Sequence, residues 1–321
     1  MQIEGGNDKV APMLETYRPI ASQRPWRDLT QPEIEAFRRD GVICLRQIYA
    51  KPWRDVLSEA LDLIGLRDSG NRTGIKSGTF EWLTNDQIRD FIWFGPTAKP
   101  VAQALGARRL NSFGDQIFIK DAMLMEPTPW HHDSTFFPIQ GDQVVSVWTA
   151  LDPVTADGSA LEFVAGSHLW SSRFKAIGLG GVDHSARALE ALPDIEAHRG
   201  DYDIISWALE PGDALMFHGL TLHGSRGNAT SQRRRAIATR WTGDGVTYDA
   251  IKPSPWEHGL STGDPLSGAI FPQVLPNLIE AEVAERLRGP IAPDAGRMKA
   301  RLAEIEKQAS KVVTTTAAPR R

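Results

Sequence analysis

Cysteine is almost absent. A single residue, Cys44, in a chain of 321 excludes an internal disulfide and any CxxC metal or redox motif. Long hydrophobic runs are missing too, since no stretch approaches the roughly 20 apolar residues of a membrane span. The opening residues, MQIEGGNDKVAPMLE, carry no apolar signal-peptide core. Nor does one sign of charge dominate. Lys plus Arg is 36 against 40 for Asp plus Glu, a net charge of −4, so there is no general basic field to attract nucleic acid. Together these lacks predict a cytoplasmic protein with neither nucleic acid nor membrane as partner, held together by its core. With 41% apolar and 24% charged residues the chain can build one. Its length allows one large domain or two small ones.

What is present divides into three stretches. Thr30 is a natural helix N-cap with Glu33 three residues on and Pro32 in the first turn, and Gly41 is a stop. The run VICL (Val42–Leu45) predicts a strand, and apolar spacing predicts helices over Trp53–Leu66, Asn85–Trp93 and Lys99–Leu105. From about residue 108 the texture changes. QIFIK, VVSVWTAL, ALEFVAG, DALMFHGLTLH and RRRAIATRW are short, rich in β-branched and aromatic residues, and separated by turn residues, the pattern of a sandwich or barrel. An insertion, 169–208, interrupts the series and carries a predicted helical piece around SARALEALPDIEAH. An insertion of that length in a β framework suggests a lid or binding element. Two further helices are predicted over Leu278–Leu287 and Met298–Lys311. The organisation expected is one domain, 1–321: an N-terminal extension with helices (1–107), a β core (108–245) and a C-terminal extension and tail (246–321).

Four of the eight histidines fall in two places, His131 and His132 in PTPWHHDSTFF, and His218 and His223 in GDALMFHGLTLHGS. On a strand His131 and Asp133 point the same way and His132 the other, so His131-x-Asp133 is a two-ligand clip. A third ligand from a distant strand would complete two imidazoles and a carboxylate on one face of a metal, the arrangement of non-haem Fe(II) oxygenases. The lack of cysteine ligands argues against structural zinc. For each of these histidines the plain alternative is a ring that only satisfies the fold.

KDAMLMEPTPWHHD, VWTALDPVTADGSALEFVAGSHLW and GDALMFHGLTLHGSRGNATSQRRRAI together resemble the phytanoyl-CoA dioxygenase (PhyH-like) family of Fe(II)- and 2-oxoglutarate-dependent oxygenases. The resemblance covers about 108–245 closely and the N-terminal helices loosely. It implies a mainly β fold with flanking helices around a double-stranded β-helix, or jelly roll. The implied metal ligands and catalytic residues are His131, Asp133 and His223, the histidine directly before Gly-Ser. His218, five residues earlier, would face the opposite side of one regular strand. His132, His168 and His218 are expected to serve the fold.

The implied cofactors are Fe(II), 2-oxoglutarate as co-substrate, and O2. A cation is needed for the far carboxylate of 2-oxoglutarate, and a guanidinium matches that geometry. Family spacing selects Arg234 among Arg233, Arg234 and Arg235, and strand parity agrees, since Arg234, Ala236 and Ala238 share a face with room for a ligand. Ser225 resembles the family serine that helps hold the same carboxylate. Trp148 and Gln116 match cofactor-lining positions, and Lys120 suggests either an entrance residue or a side chain that snorkels at a strand end. Related halogenases replace the metal-binding carboxylate with a small residue, so the intact Asp133 argues against halogenation and leaves hydroxylation or another oxidation as the default, with release of succinate and CO2. The substrate expected is a small or medium organic molecule, touched by Met123 and Met125, Phe136 and Phe137, Trp241, Tyr248 and the insertion. Two alternatives stand beside this: a cupin-like metal-dependent isomerase or epimerase without 2-oxoglutarate, disfavoured by Arg234, and a catalytically silent binding protein, disfavoured by the complete ligand set.

Overall fold

The computed structural model describes residues 27–65, 74–178, 189–250, 258–268 and 270–276. The first helix, Gln31–Asp40, begins as its cap chemistry dictates: Glu33 N donates to Thr30 Oγ1 at 3.4 Å and Thr30 N donates back to Glu33 Oε2 at 2.8 Å. It ends at Gly41, whose φ of 77° lies in the left-handed region. The helices Lys51–Gly65, Asp86–Phe94 and Ala98–Leu105 follow close to their predicted bounds. The predicted C-terminal helices and residues 1–26 lie outside the described residues.

Two antiparallel sheets form the body. The larger has seven strands, in the order Val42–Leu45, Ala214–His218, Val144–Ala150, Arg234–Thr242, Leu110–Lys120 and Gln273–Leu275, with Lys76–Thr79 also pairing with Leu110–Lys120. The smaller has four: Thr128–His131, His223–Ser225, Leu161–Val164 and Ile204–Ser206. This is the expected jelly roll, mainly β with helices on one side.

Side-chain alternation explains the layering. On strand Arg234–Thr242, Ile237 and Trp241 join Trp53, Phe91, Phe113 and Val147 in the core between the large sheet and the helices. Ala236 and Ala238 face the other way and join Trp148, Phe163, Leu215 and Phe217 between the two sheets. The small alanines keep that inner space open, and the site lies there.

Three sequence expectations change. DALMFHGLTLH is not one strand. It splits into Ala214–His218 in the large sheet and His223–Ser225 in the small one, so the parity argument separating His218 from His223 gives way to a chain that changes sheets between them. The helical piece expected around SARALEALPDIEAH has its first four residues outside the described ones, and 189–198 form a bridge from Glu190 to Phe174 and a turn. The insertion also contains Ile204–Ser206, a strand of the small sheet. Finally, the β core extends beyond 108–245, because Val42–Leu45, Lys76–Thr79 and Gln273–Leu275 pair with strands of the large sheet that would otherwise present open hydrogen-bonding edges.

Candidate active site

His131 is the last residue of strand Thr128–His131, and Asp133 opens the short 3-10 turn Asp133–Phe136 that follows. His223 opens its own strand and is the cross-strand partner of His131. The two rings therefore lie side by side, with centroids 4.2 Å apart. His131 Nε2 is 3.6 Å and His223 Nε2 3.8 Å from Asp133 Oδ1, and the three ligand atoms lie within 4.8 Å of one another.

The hydrogen bonds behind these atoms suit a metal. His131 Nδ1 donates to the Pro129 carbonyl at 2.7 Å, and His223 Nδ1 donates to the Thr221 carbonyl at 3.0 Å. Both Nε2 lone pairs are thus free to face Asp133. Burial, with His131 adjacent, pushes His223 down to about 3, so its ring is the neutral form a metal needs. Burial alone would raise the Asp133 carboxyl, but Arg240 and the two histidines more than offset it and hold the group below the usual carboxylate range. Asp133 Oδ2, the oxygen turned away from the histidines, accepts from Ser146 Oγ at 2.6 Å and lies 3.6 Å from Arg240 Nε.

The inner face of the large sheet completes the site. Gln116, Ala238 and Trp148 form one row across three strands, and Lys120 is the register partner of Arg234. Arg234 is buried, with its guanidinium 5.1 Å from the Trp148 ring and Nη2 donating to Ser159 Oγ at 3.2 Å. Its Nε and Nη1 have no hydrogen-bond partner among the described residues. Burial pushes this guanidinium down to about 10. Its neighbours serve elsewhere: Arg235 pairs with Asp152 at 2.7 Å and Arg233 with Asp62 at 2.9 Å. Ser225 is buried on the strand that carries His223.

A cavity of about 150 Å³ joins these groups, bordered by His131, Asp133, His223, Arg234, Trp148 and Gln116. Phe136 and Phe137 line it, as do Ile177 and Gly178 from the insertion. The other expected substrate contacts lie elsewhere. Met123 and Met125 are 63% and 61% exposed and do not border the cavity. Trp241 is fully buried on the helix side, as its odd position in the strand requires, and Tyr248 is buried against His258 with ring centroids 4.4 Å apart. His132 Nε2 accepts from Phe174 N at 3.0 Å and so ties the insertion to the segment that carries His131 and Asp133. His218 Nδ1 accepts from Leu220 N at 3.1 Å, and His168 Nε2 donates to the Arg38 carbonyl at 3.2 Å.

Sequence reasoning missed Arg240, Ser146 and Ser159, and misjudged Lys120. Arg240 shares parity with Arg234, a usable signal. Ser159 stands at a φ of 62°, which no local pattern announces. Lys120 is neither an entrance residue nor a snorkelling one. It is 1% exposed and reaches inward to Ser159 and Ser225.

The sequence model of the family described as Phytanoyl-CoA dioxygenase (PhyH) matches residues 37–236. The chain belongs to the phytanoyl-CoA dioxygenase family. Among curated sequences, a probable phytanoyl-CoA dioxygenase of Caenorhabditis elegans is 30% identical over 129 residues, 36% of this chain and 36% of that one. The peroxisomal phytanoyl-CoA dioxygenase of Homo sapiens is 27% identical over 133 residues, 40% of this chain and 38% of the human protein. The matched stretch thus spans little more than a third of these relatives. Among solved structures, the non-heme alpha ketoglutarate dependent carbocyclase SnoK from nogalamycin biosynthesis superposes with a TM-score of 0.63 at 21% identity, covering 76% of this chain and 96% of that one. The epimerase SnoN in complex with Fe3+, alpha ketoglutarate and nogalamycin RO gives 0.62 at 22% identity, covering 76% and 98%. At these identities the likeness establishes the family's jelly roll.

Proposed function

We propose that this protein is an Fe(II)- and 2-oxoglutarate-dependent oxygenase that oxidises a C–H bond of a small or medium organic molecule. O2 is the oxidant, and succinate and CO2 are released. The observation that carries this reading is a convergence: two imidazoles and a carboxylate meet at one end of a cavity, and a buried guanidinium with unpaired N–H groups faces its other side. Iron held by His131, Asp133 and His223 supplies O2 activation and oxidation of the C–H bond. Arg234 and Ser225 hold the far carboxylate of 2-oxoglutarate, and Trp148 and Gln116 line its place. Ser146 and Arg240 keep Asp133 turned toward the histidines. Phe136 and Phe137 offer an apolar wall to the substrate and keep water from the reacting carbon.

Asp133 fills the position a halogenase leaves for halide, which argues against halogenation, and hydroxylation is the default outcome we assign. The cupin-like alternative lacks a use for Arg234, and a silent binding protein has no need of a complete ligand set. A cytoplasmic location belongs to the same proposal, since a ferrous site and a lone thiol suit a reducing compartment. The test is anaerobic titration of Fe(II)-loaded protein with 2-oxoglutarate. A visible metal-to-ligand charge-transfer band is expected, and its absence would overturn the oxygenase reading. Succinate release accelerated by members of a compound panel then identifies the substrate.

A further inference from the structure

Lys120 and Arg234 are register partners on adjacent antiparallel strands, so both cationic side chains leave the same face of the large sheet. Both are buried, at 1% and 3% exposure. Lys120 Nζ donates to Ser159 Oγ at 3.0 Å, to Ser225 Oγ at 3.1 Å and to the Arg226 carbonyl at 3.1 Å. Arg234 Nη2 donates to the same Ser159 Oγ. Two cations therefore share one hydroxyl, and every hydrogen-bond partner of both is neutral. Arg234 still has two N–H groups unused.

The charges around them do not supply a counter-ion in contact. Glu126 acts on Lys120, and Asp152 on Arg234, only through space. On the flanking strand Lys76 is paired with Asp121 at 3.0 Å. The Arg226 side chain turns to Glu162 and Glu196, at 3.8 and 3.9 Å. Two buried like charges without a contacting anion are costly. Arg234 borders the cavity, and Lys120, which does not, shares the Ser159 hydroxyl with it, so an anion entering beside Arg234 relieves both.

Resting on the oxygenase reading, we propose that Lys120 is the second cation for the far carboxylate of 2-oxoglutarate, beside Arg234 and Ser225, and that it takes up a proton from solvent as that carboxylate enters. Burial and then the neighbouring Arg234 push the Lys120 ammonium down to about 7. Above that pH the amine is mostly neutral. A carboxylate placed between it and Arg234 favours the charged form and restores the proton.

The test is calorimetric titration of 2-oxoglutarate into anaerobic Fe(II)-loaded protein, in two buffers of different ionisation enthalpy. At about pH 8 most of one proton should be taken up per 2-oxoglutarate bound, falling toward zero near about pH 6, where the amine is already charged. Lys120→Met should abolish the uptake and weaken binding about tenfold to a hundredfold, whereas Lys120→Arg should keep affinity within a few-fold without any uptake. Wild-type binding with no proton uptake at about pH 8, or unchanged affinity in Lys120→Met, overturns the assignment while leaving the oxygenase reading intact. If Lys120→Met does not fold, the wild-type proton count and Lys120→Arg decide the matter. Failure of the wild-type protein to bind 2-oxoglutarate at all overturns the oxygenase reading and this assignment with it.

Discussion

Neighbouring residues of identical chemistry do opposite work on strand Arg234–Thr242. Arg234 is turned into the inter-sheet space and Arg235 toward Asp152 and Asp62 at the surface. Arg234→Ala should therefore weaken 2-oxoglutarate binding on the order of a hundredfold, and Arg235→Ala by less than about threefold, measured as dissociation constants by titration. Equal losses would mean that the side chains do not alternate as described. A smaller change probes the metal end. Ser146 fixes the Asp133 oxygen turned away from the histidines, so Ser146→Ala should lower metal affinity about tenfold while the three ligands remain. Competition with a chelator reads that directly.

Among elements, the segment between Ala214–His218 and His223–Ser225 decides whether a site exists. It leaves the large sheet at His218 and enters the small one at His223, one of the three candidate ligands. The corner is closed by neutral His218, whose Nδ1 accepts from Leu220 N. Burial, and then nearby His168, push His218 from 6.5 down to about 4. A base with a depressed folded-state value contributes stability that is complete above about pH 6.5 and lost as pH falls toward about 4. His218→Asn keeps an acceptor but does not titrate, so its urea stability should vary less than wild type between those limits. Gly41 faces the same corner. Its left-handed backbone, and the position of a Cβ against His168 Nδ1 and Thr221 Oγ1, predict that Gly41→Ala destabilises by about 2 kcal/mol, read by the same denaturation. Capping residues and β-branched runs made most helices and strands legible in the sequence, because their causes are local. HHD and HGS were legible as short motifs, and the structure brings His131, Asp133 and His223 together. The change of sheet after His218, the inward reach of Lys120 and the burial of Trp241 and Tyr248 were not legible, because each depends on which sheet lies opposite.

In the molecule as a whole, the site spans both sheets. His131 and His223 belong to the small sheet, Arg234 and Trp148 to the large one, and Asp133 from the small side is held by Ser146 and Arg240 from the large. A bound metal with 2-oxoglutarate therefore links the two layers. At ligand concentrations about a hundredfold above dissociation, the linkage is worth about 2.7 kcal/mol, so thermal unfolding should shift upward by several degrees and return on chelation. No shift would mean that the metal and 2-oxoglutarate do not bind the folded protein. The alternation on strand Arg234–Thr242 also makes its pairing all-or-none. A one-residue slip against Leu110–Lys120 and Val144–Ala150 would turn every side chain to the other face, presenting Arg235 inward and Ile237 to the open space. A slip of two residues would preserve the facing but carry Arg234 away from Ser159.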